Sequence, residues 1–221
     1  MCSMASSLLR SIYCVLMGKS TFNKRRFTLS TFVISARDLF AHVDHLQAAL
    51  TQHLISQAFS ERIMLAVTQV NGCRYCSYAH ARLALQAGID EMELHDLLRG
   101  EFDHAPEDEL VALLFAQHYA AQADRYEAAA WQRLQEVYGA AASREILNHI
   151  RLITFANLYG NTFDALLERL KFRPVPGSRF FDEVVVLSAG ATVVPFGLLL
   201  TIIERRVSAA FRRAPVKATH D

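Results

Sequence analysis

Between about residues 56 and 171, apolar residues recur every three or four positions, and nowhere do they alternate with polar ones between turn residues. That period belongs to a helix of 3.6 residues per turn, so the chain must bury stripes of helices rather than pleated faces. The expected fold class is all-α. Ser60 precedes a helix with Ile63, Val67 and Val70 on one side, and Asn71-Gly72 ends it, glycine accepting a left-handed cap. A second helix starts near Cys73 and runs to about Ala87, closed by Gly88, and Asp90 caps a short third with Met92, Leu94, Leu97 and Leu98. Pro106 followed by Glu107, Asp108 and Glu109 opens a fourth that continues to about Ala123. Stretches from roughly Tyr126 to Tyr138 and Ala142 to Lys171 complete a body of about six helices, before Pro174-Val175-Pro176-Gly177 breaks the pattern.

With 221 residues, 52% of them hydrophobic, the chain can build a sizeable core. Its formal net charge of +1 excludes the basic field that gathers phosphate backbones, so no nucleic acid is expected as a partner. That total hides three zones. Residues 1–37 carry Arg10, Lys19, Lys24, Arg25, Arg26 and Arg37 with no acid, residues 205–221 sum to +4, and the stretch between is acidic at −9. The organisation read from this is a basic N-terminal extension at 1–37, a helical domain at 38–171, and at 172–221 a linker, an apolar helix and a basic tail. The acid-free start has the character of a targeting peptide or a membrane-surface arm, but Ser11 to Met17 is too short for a clean signal peptide. An extension with no address is the plainer expectation.

Val184 to Ile203 is an uncharged run of twenty residues, about 30 Å as a helix at about 1.5 Å per residue, which matches a bilayer core. Gly190, Pro195 and Gly197 interrupt it, so two shorter core helices or burial between subunits compete evenly with insertion. Basic residues flank the run on both sides and leave its orientation open. A cytoplasmic location is expected, attached to the inner membrane if the run inserts.

The chemistry concentrates around the Asn71-Gly72 turn. Four cysteines are too few for a secreted disulfide scaffold, and Cys73 and Cys76 have the spacing of metal binding or thiol redox work, whereas Cys2 and Cys14 join no motif. If a helix starts near Cys73, then Cys73, Cys76 and His80 share one face. Cys73 would lie in the first turn, where free N–H groups and the helix dipole favour a thiolate. Cys76 stands four residues before His80, whose imidazole can take the thiol proton. Glu61 on the preceding helix could reach His80 if the turn folds that helix back antiparallel, orienting the ring and completing a proton path. Cβ atoms three apart in a regular helix are about 5–6 Å apart, and a disulfide wants about 3.5–4.5 Å, so the bridge should be strained and labile. Two other readings compete: a buried pair packing as small hydrophobes, and zinc held by Cys73, Cys76, His80 and Glu61.

Glu61, eleven intervening residues, Cys73-x-x-Cys76, three residues and His80, set in VNGCRYCSYAH, resemble the AhpD-like alkylhydroperoxidase branch of the carboxymuconolactone decarboxylase superfamily. The resemblance is strongest over residues 56–100 and extends with weaker motifs to about 171. It implies an all-helical homo-oligomeric peroxidase with no bound cofactor. By that resemblance Cys76 is attacked by a hydroperoxide, Cys73 captures the resulting sulfenic acid, a dithiol donor such as a lipoyl protein restores the pair, and Glu61 and His80 form the proton relay. A common form of the motif has a histidine just before the second cysteine; Tyr75 stands there, a candidate relay group whose phenol, with a pKa of about 10, shuttles protons less readily than imidazole at neutral pH. The alternatives are a dithiol/disulfide oxidoreductase that does not use peroxide, and a non-catalytic, membrane-tethered redox or zinc-binding oligomer. His149, Asn157 and Asn161 recur along the last long helix and read as solvated or capped polar positions, with a groove lining as the rival. His42, His45 and His53 read as surface histidines.

Overall fold

The computed structural model describes residues 22, 24–42, 54–192, 195 and 199. Cys2, Cys14, His45, His53 and the basic tail at 205–221 lie outside them. Among the described residues there are helices and no strand, as the periodicity requires.

The order is α1 (Leu29–Ala41), α2 (Gln57–Asn71), α3 (Arg74–Gln86), α4 (Glu91–Arg99), a 3-10 turn (Glu107–Glu109), α5 (Leu110–Ala121), α6 (Ala128–Leu170) and a final helix, α7, at 180–192. Thr28 and Thr31 form a reciprocal capping box at the start of α1. Ser56 caps α2, its hydroxyl accepting the Phe59 N–H at 3.0 Å. This corrects the expected start at Ser60, which lies inside the helix and donates to the Gln57 carbonyl at 2.8 Å. Serine is suited to either position, and the extended backbone at Ser56 decides which one is the cap. Gly72 ends α2 at φ 67, Asp90 caps α4, and Gly100 closes it at φ 81. Gly139, at φ 74 and ψ 164, interrupts α6, which is why the pattern reads as two helices there. The Ser143 hydroxyl spans the break to the Leu134 carbonyl at 3.0 Å.

Helix α2 runs through the middle, with α3, α4, α5 and α6 packed around it. Its Ile63, Leu65, Ala66 and Val67 are fully buried, and each of the larger three contributes about 1.5–3 kcal/mol by leaving water. Val70, expected on the same side, is partly exposed near the helix end. Arg62 is also buried and joins α2 to its neighbours, with Nη2 donating to Glu93 Oε2 at 3.1 Å and Nη1 to Glu109 Oε2 at 3.1 Å. A charge buried this deeply is tolerated because both its partners are carboxylates.

A second apolar cluster joins Phe27 and the α1 residues Phe32 and Ala36 to Leu158 on α6 and Val186 on α7. Phe27 is only 3% exposed, and Arg25 grips Asp124 through two bonds at 3.0 and 2.7 Å. The basic residues just before α1 are thus part of the packed body. The start of the apolar run is packed too. Val186 is fully buried, Tyr159 donates to the Leu187 carbonyl at 2.7 Å, and Gly190 lies so close to the Tyr159 ring that a side chain would not fit. Glu183, fully buried, takes both oxygens of a bidentate bond from Arg169 at 2.7 and 3.1 Å. Among the described residues no helix is long and apolar enough to cross a membrane. The spanning expectation finds no support there, because the first turns of the run already have the protein body as their apolar partner. Residues 193, 194, 196–198 and 200–203 of the run lie outside the described residues.

Candidate active site

Gly72 turns the chain between α2 and α3, and the next residue, Cys73, is the N-cap of α3 rather than a member of its first turn. Its backbone is extended, at φ −77 and ψ 104, and its sulfur accepts the N–H of Cys76 at 3.4 Å. This changes the expected geometry. An N-cap side chain folds over the helix end toward the third helical residue, the same approach that makes a capping box. Here the third residue is Cys76, and the sulfurs stand 2.6 Å apart, hydrogen-bonded as free thiols with no disulfide between them. The strain expected for two cysteines inside one regular helix does not apply to this arrangement.

Either sulfur could donate in that contact by geometry alone. The surroundings favour charge on Cys73. The Cys76 thiol first, and then the N–H groups of Cys76 and Tyr75 and the Lys24 ammonium, hold the Cys73 thiol below its ordinary value against the opposing effect of burial. Cys76 is pushed strongly upward, because ionising it forfeits the bond with Cys73, burial disfavours its charge, and a neighbouring thiolate repels it. Access runs the other way: Cys73 is fully buried, whereas Cys76 is partly exposed.

Glu61 and His80 meet as the antiparallel turn predicts. His80 Nδ1 lies 2.7 Å from Glu61 Oε2, with Glu61 buried. A carboxylate accepts, so Nδ1 carries the proton and Nε2 is left as the basic nitrogen. His80 follows Cys76 by one helical turn on the same face of α3. Tyr75 faces α6 instead. Its hydroxyl donates to Asp164 Oδ1 at 2.9 Å and accepts from Arg74 at 3.0 Å, and burial raises its ionisation above the ordinary value. Asp164 also pairs with Arg74 and, at 3.1 Å, with Lys24.

Several contributors escaped the sequence reading. Gly160 on α6 backs the pair so closely that a Cβ there would fall 2.8 Å from Cys73 Sγ and 3.6 Å from the Tyr75 ring. Asp164, one turn further on, anchors Lys24, Arg74 and Tyr75 to α6. Asn157 and Asn161 correct an expectation, for both are buried and not solvated. Asn161 Nδ2 donates at 2.8 Å to the carbonyls of both Asn71 and Arg25, tying the turn before Cys73 to α6, and Asn157 Oδ1 accepts from Thr68 at 3.1 Å. Their helical spacing was the available signal; their partners, some ninety residues away, were not. His149 takes no part, its ring bonding to the Glu145 carbonyl at 2.9 Å, and His42 pairs with Asp38 on its own helix at 3.2 Å. A zinc site would need three or more donors around one point, and no such group of His, Cys, Asp or Glu occurs among the described residues.

Residues 37–117 match the model of the carboxymuconolactone decarboxylase family, a span that contains Glu61, Cys73, Cys76 and His80. The resemblance read from the motif is borne out over that span, and the match supports an enzymatic role in general terms. No curated protein and no solved structure matches the chain.

Proposed function

We propose that the protein is a thiol-dependent hydroperoxide reductase that cycles Cys76 and Cys73 between dithiol and disulfide. The observation that carries this reading is the pair of sulfurs 2.6 Å apart at the helix N-terminus, one of them reachable and the other buried and charge-stabilised. Such a division suits two different tasks. The partly exposed Cys76 meets the oxidant, and the buried Cys73 waits as a ready thiolate for what Cys76 becomes.

His80 Nε2 takes the Cys76 proton, and Glu61 steadies the imidazolium that results. The Cys76 thiolate then attacks a peroxide oxygen. The O–O bond breaks, Cys76 becomes a sulfenic acid, and the leaving alkoxide takes the proton from His80 to depart as an alcohol. The Cys73 thiolate next attacks the Cys76 sulfur, forming the S–S bond as the S–OH bond breaks, and the departing hydroxide leaves as water with a proton from solvent. Two thiols and one hydroperoxide thus give a disulfide, an alcohol and water. A dithiol donor, of the lipoyl kind that the resemblance implies, returns two electrons and two protons by exchange. Tyr75 has no step here, because Asp164 holds its proton. Assembly as a homo-oligomer is part of the same reading.

Turnover of an organic hydroperoxide with a dithiol reductant tests the proposal. Cys76→Ser should abolish peroxide consumption, and a variant that keeps the full rate removes Cys76 from its role. If the wild type reduces disulfides but consumes no peroxide, the dithiol/disulfide oxidoreductase reading replaces this one.

A further inference from the structure

Away from the cysteines, α1 and the residues just before it lean over α5 and α6 without filling the space between, leaving a cavity of about 610 Å³. Pockets that take small organic ligands fall in this size range. None of Glu61, Cys73, Cys76 or His80 lines it. Phe27, Phe155 and Leu158 give it an apolar wall, and Asn148, Arg151 and Thr154 project from one stretch of α6 as its polar side. Two polar atoms there lack what a protein interior ordinarily supplies. Among the described residues, the Thr154 hydroxyl is buried, in a residue only 5% exposed, with no hydrogen-bond partner, and Arg151 Nε is buried and likewise unbonded. Asp38 Oδ2 stands 3.5 Å from that nitrogen, at ion-pair distance only. Buried donors left unmade are costly, so each is an observation that asks for a partner.

The charges around the space point to the sign of that partner. Arg25, Arg26 and Arg151 face it against Asp38 and Asp124, with His42 beside Asp38. Arg25 is spent on Asp124, and Arg26 donates to the Pro176 carbonyl at 2.8 Å. Arg151 bonds to the Tyr119 hydroxyl, and its buried Nε is left without a hydrogen bond among the described residues. Tyr119 completes the wall, and burial pushes its ionisation up to about 12, so it stays a neutral phenol at any physiological pH.

We propose that this cavity binds a small amphipathic carboxylate, with its head group between Arg151 and Thr154 and its chain against Phe27, Phe155 and Leu158. The carboxylate supplies the acceptors that Arg151 Nε and the Thr154 hydroxyl lack, and the aromatic wall covers the chain. Binding is read without turnover, so the proposal stands or falls apart from the peroxidase reading.

Calorimetric titration of the full-length protein with decanoate tests it, with decanol and acetate as probes of tail and head alone. Decanoate should bind saturably, and decanol and acetate each at least about tenfold more weakly, the head group contributing a charge-assisted bond. Arg151→Gln should weaken decanoate about tenfold and leave decanol unchanged. Thr154→Val, nearly isosteric, should weaken decanoate about threefold, which keeps the test open if the arginine variant unfolds on heating below the wild type. No saturable decanoate binding, equal affinity for decanol, or a decanoate affinity untouched by Thr154→Val each overturns the proposal.

Discussion

Replacing Gly160 with alanine perturbs the proposed chemistry from a residue that takes no chemical part in it. Gly160 lies within α6, where alanine is intrinsically better than glycine by about 1 kcal/mol. Its new methyl would sit 2.8 Å from Cys73 Sγ, well inside the 3.5–4.0 Å of a relaxed contact, so about 1 Å of movement is required. Cys73 is fully buried and has a single side-chain torsion, and turning it takes the sulfur away from both the Cys76 N–H and the Cys76 sulfur. Overpacking of this size costs about 1–3 kcal/mol. Set against the helix gain, Gly160→Ala should change stability by between zero and about 2 kcal/mol of loss. Function should suffer far more, since an ångström of misplacement between reacting groups costs about 100-fold. Denaturant unfolding gives the first quantity, and the rate at which stoichiometric hydroperoxide converts the thiols to disulfide gives the second. A variant that closes the disulfide at the wild-type rate refutes the claim that Gly160 sets the position of the Cys73 sulfur.

Other expectations follow from the same geometry. Cys76→Ala removes the side-chain donor that most holds the Cys73 thiol low and leaves burial acting upward, so Cys73 should titrate at higher pH, followed by thiolate ultraviolet absorbance. Because Cys76 is pushed upward, its thiolate fraction grows as pH rises, and peroxide reduction by the wild type should accelerate from neutral into alkaline solution; a flat profile contradicts proton removal from Cys76 as a slow step. Glu61→Gln leaves His80 without its carboxylate partner and should slow peroxide reduction at neutral pH by about 100-fold, in the range of general acid–base contributions, with the fold intact by circular dichroism. Asn161→Ala leaves the Asn71 carbonyl without a buried donor and should cost about 1–3 kcal/mol in urea unfolding.

The helical body was readable because its signals are local. Gly72 and Gly88 occupy left-handed positions where the chain turns, and Asp90 caps α4 as its place before an apolar stripe requires. The start of α2 lies one turn before the one its pattern suggests because Ser56 and Ser60 are equally good caps in isolation. Within the site, the Glu61–His80 contact followed from a hairpin turn and the helical period. The spacing alone puts Cys73 in the first turn of α3, since only its extended backbone distinguishes a cap from a first-turn residue, and that single step brings the sulfurs together. Gly160, Asp164 and the buried amides of Asn157 and Asn161 were out of reach of any local pattern. Their roles come from α6 crossing the α2–α3 turn, a packing event between segments some ninety residues apart. The opening of the apolar run at 184 resembles a membrane segment for a related reason: hydropathy registers burial without saying whether lipid or protein provides it, and Phe27, Phe32 and Leu158 do so for Val186.

Intact-mass analysis of the full-length protein after one equivalent of an organic hydroperoxide, with and without subsequent dithiol, addresses the redox pair directly. Wild type should lose two hydrogens through a Cys73–Cys76 bond and regain them with dithiol, while Cys73→Ser should instead gain one oxygen, located on Cys76. Oxygen found on Cys73, or both thiols still open to alkylation after peroxide has been consumed, contradicts the account.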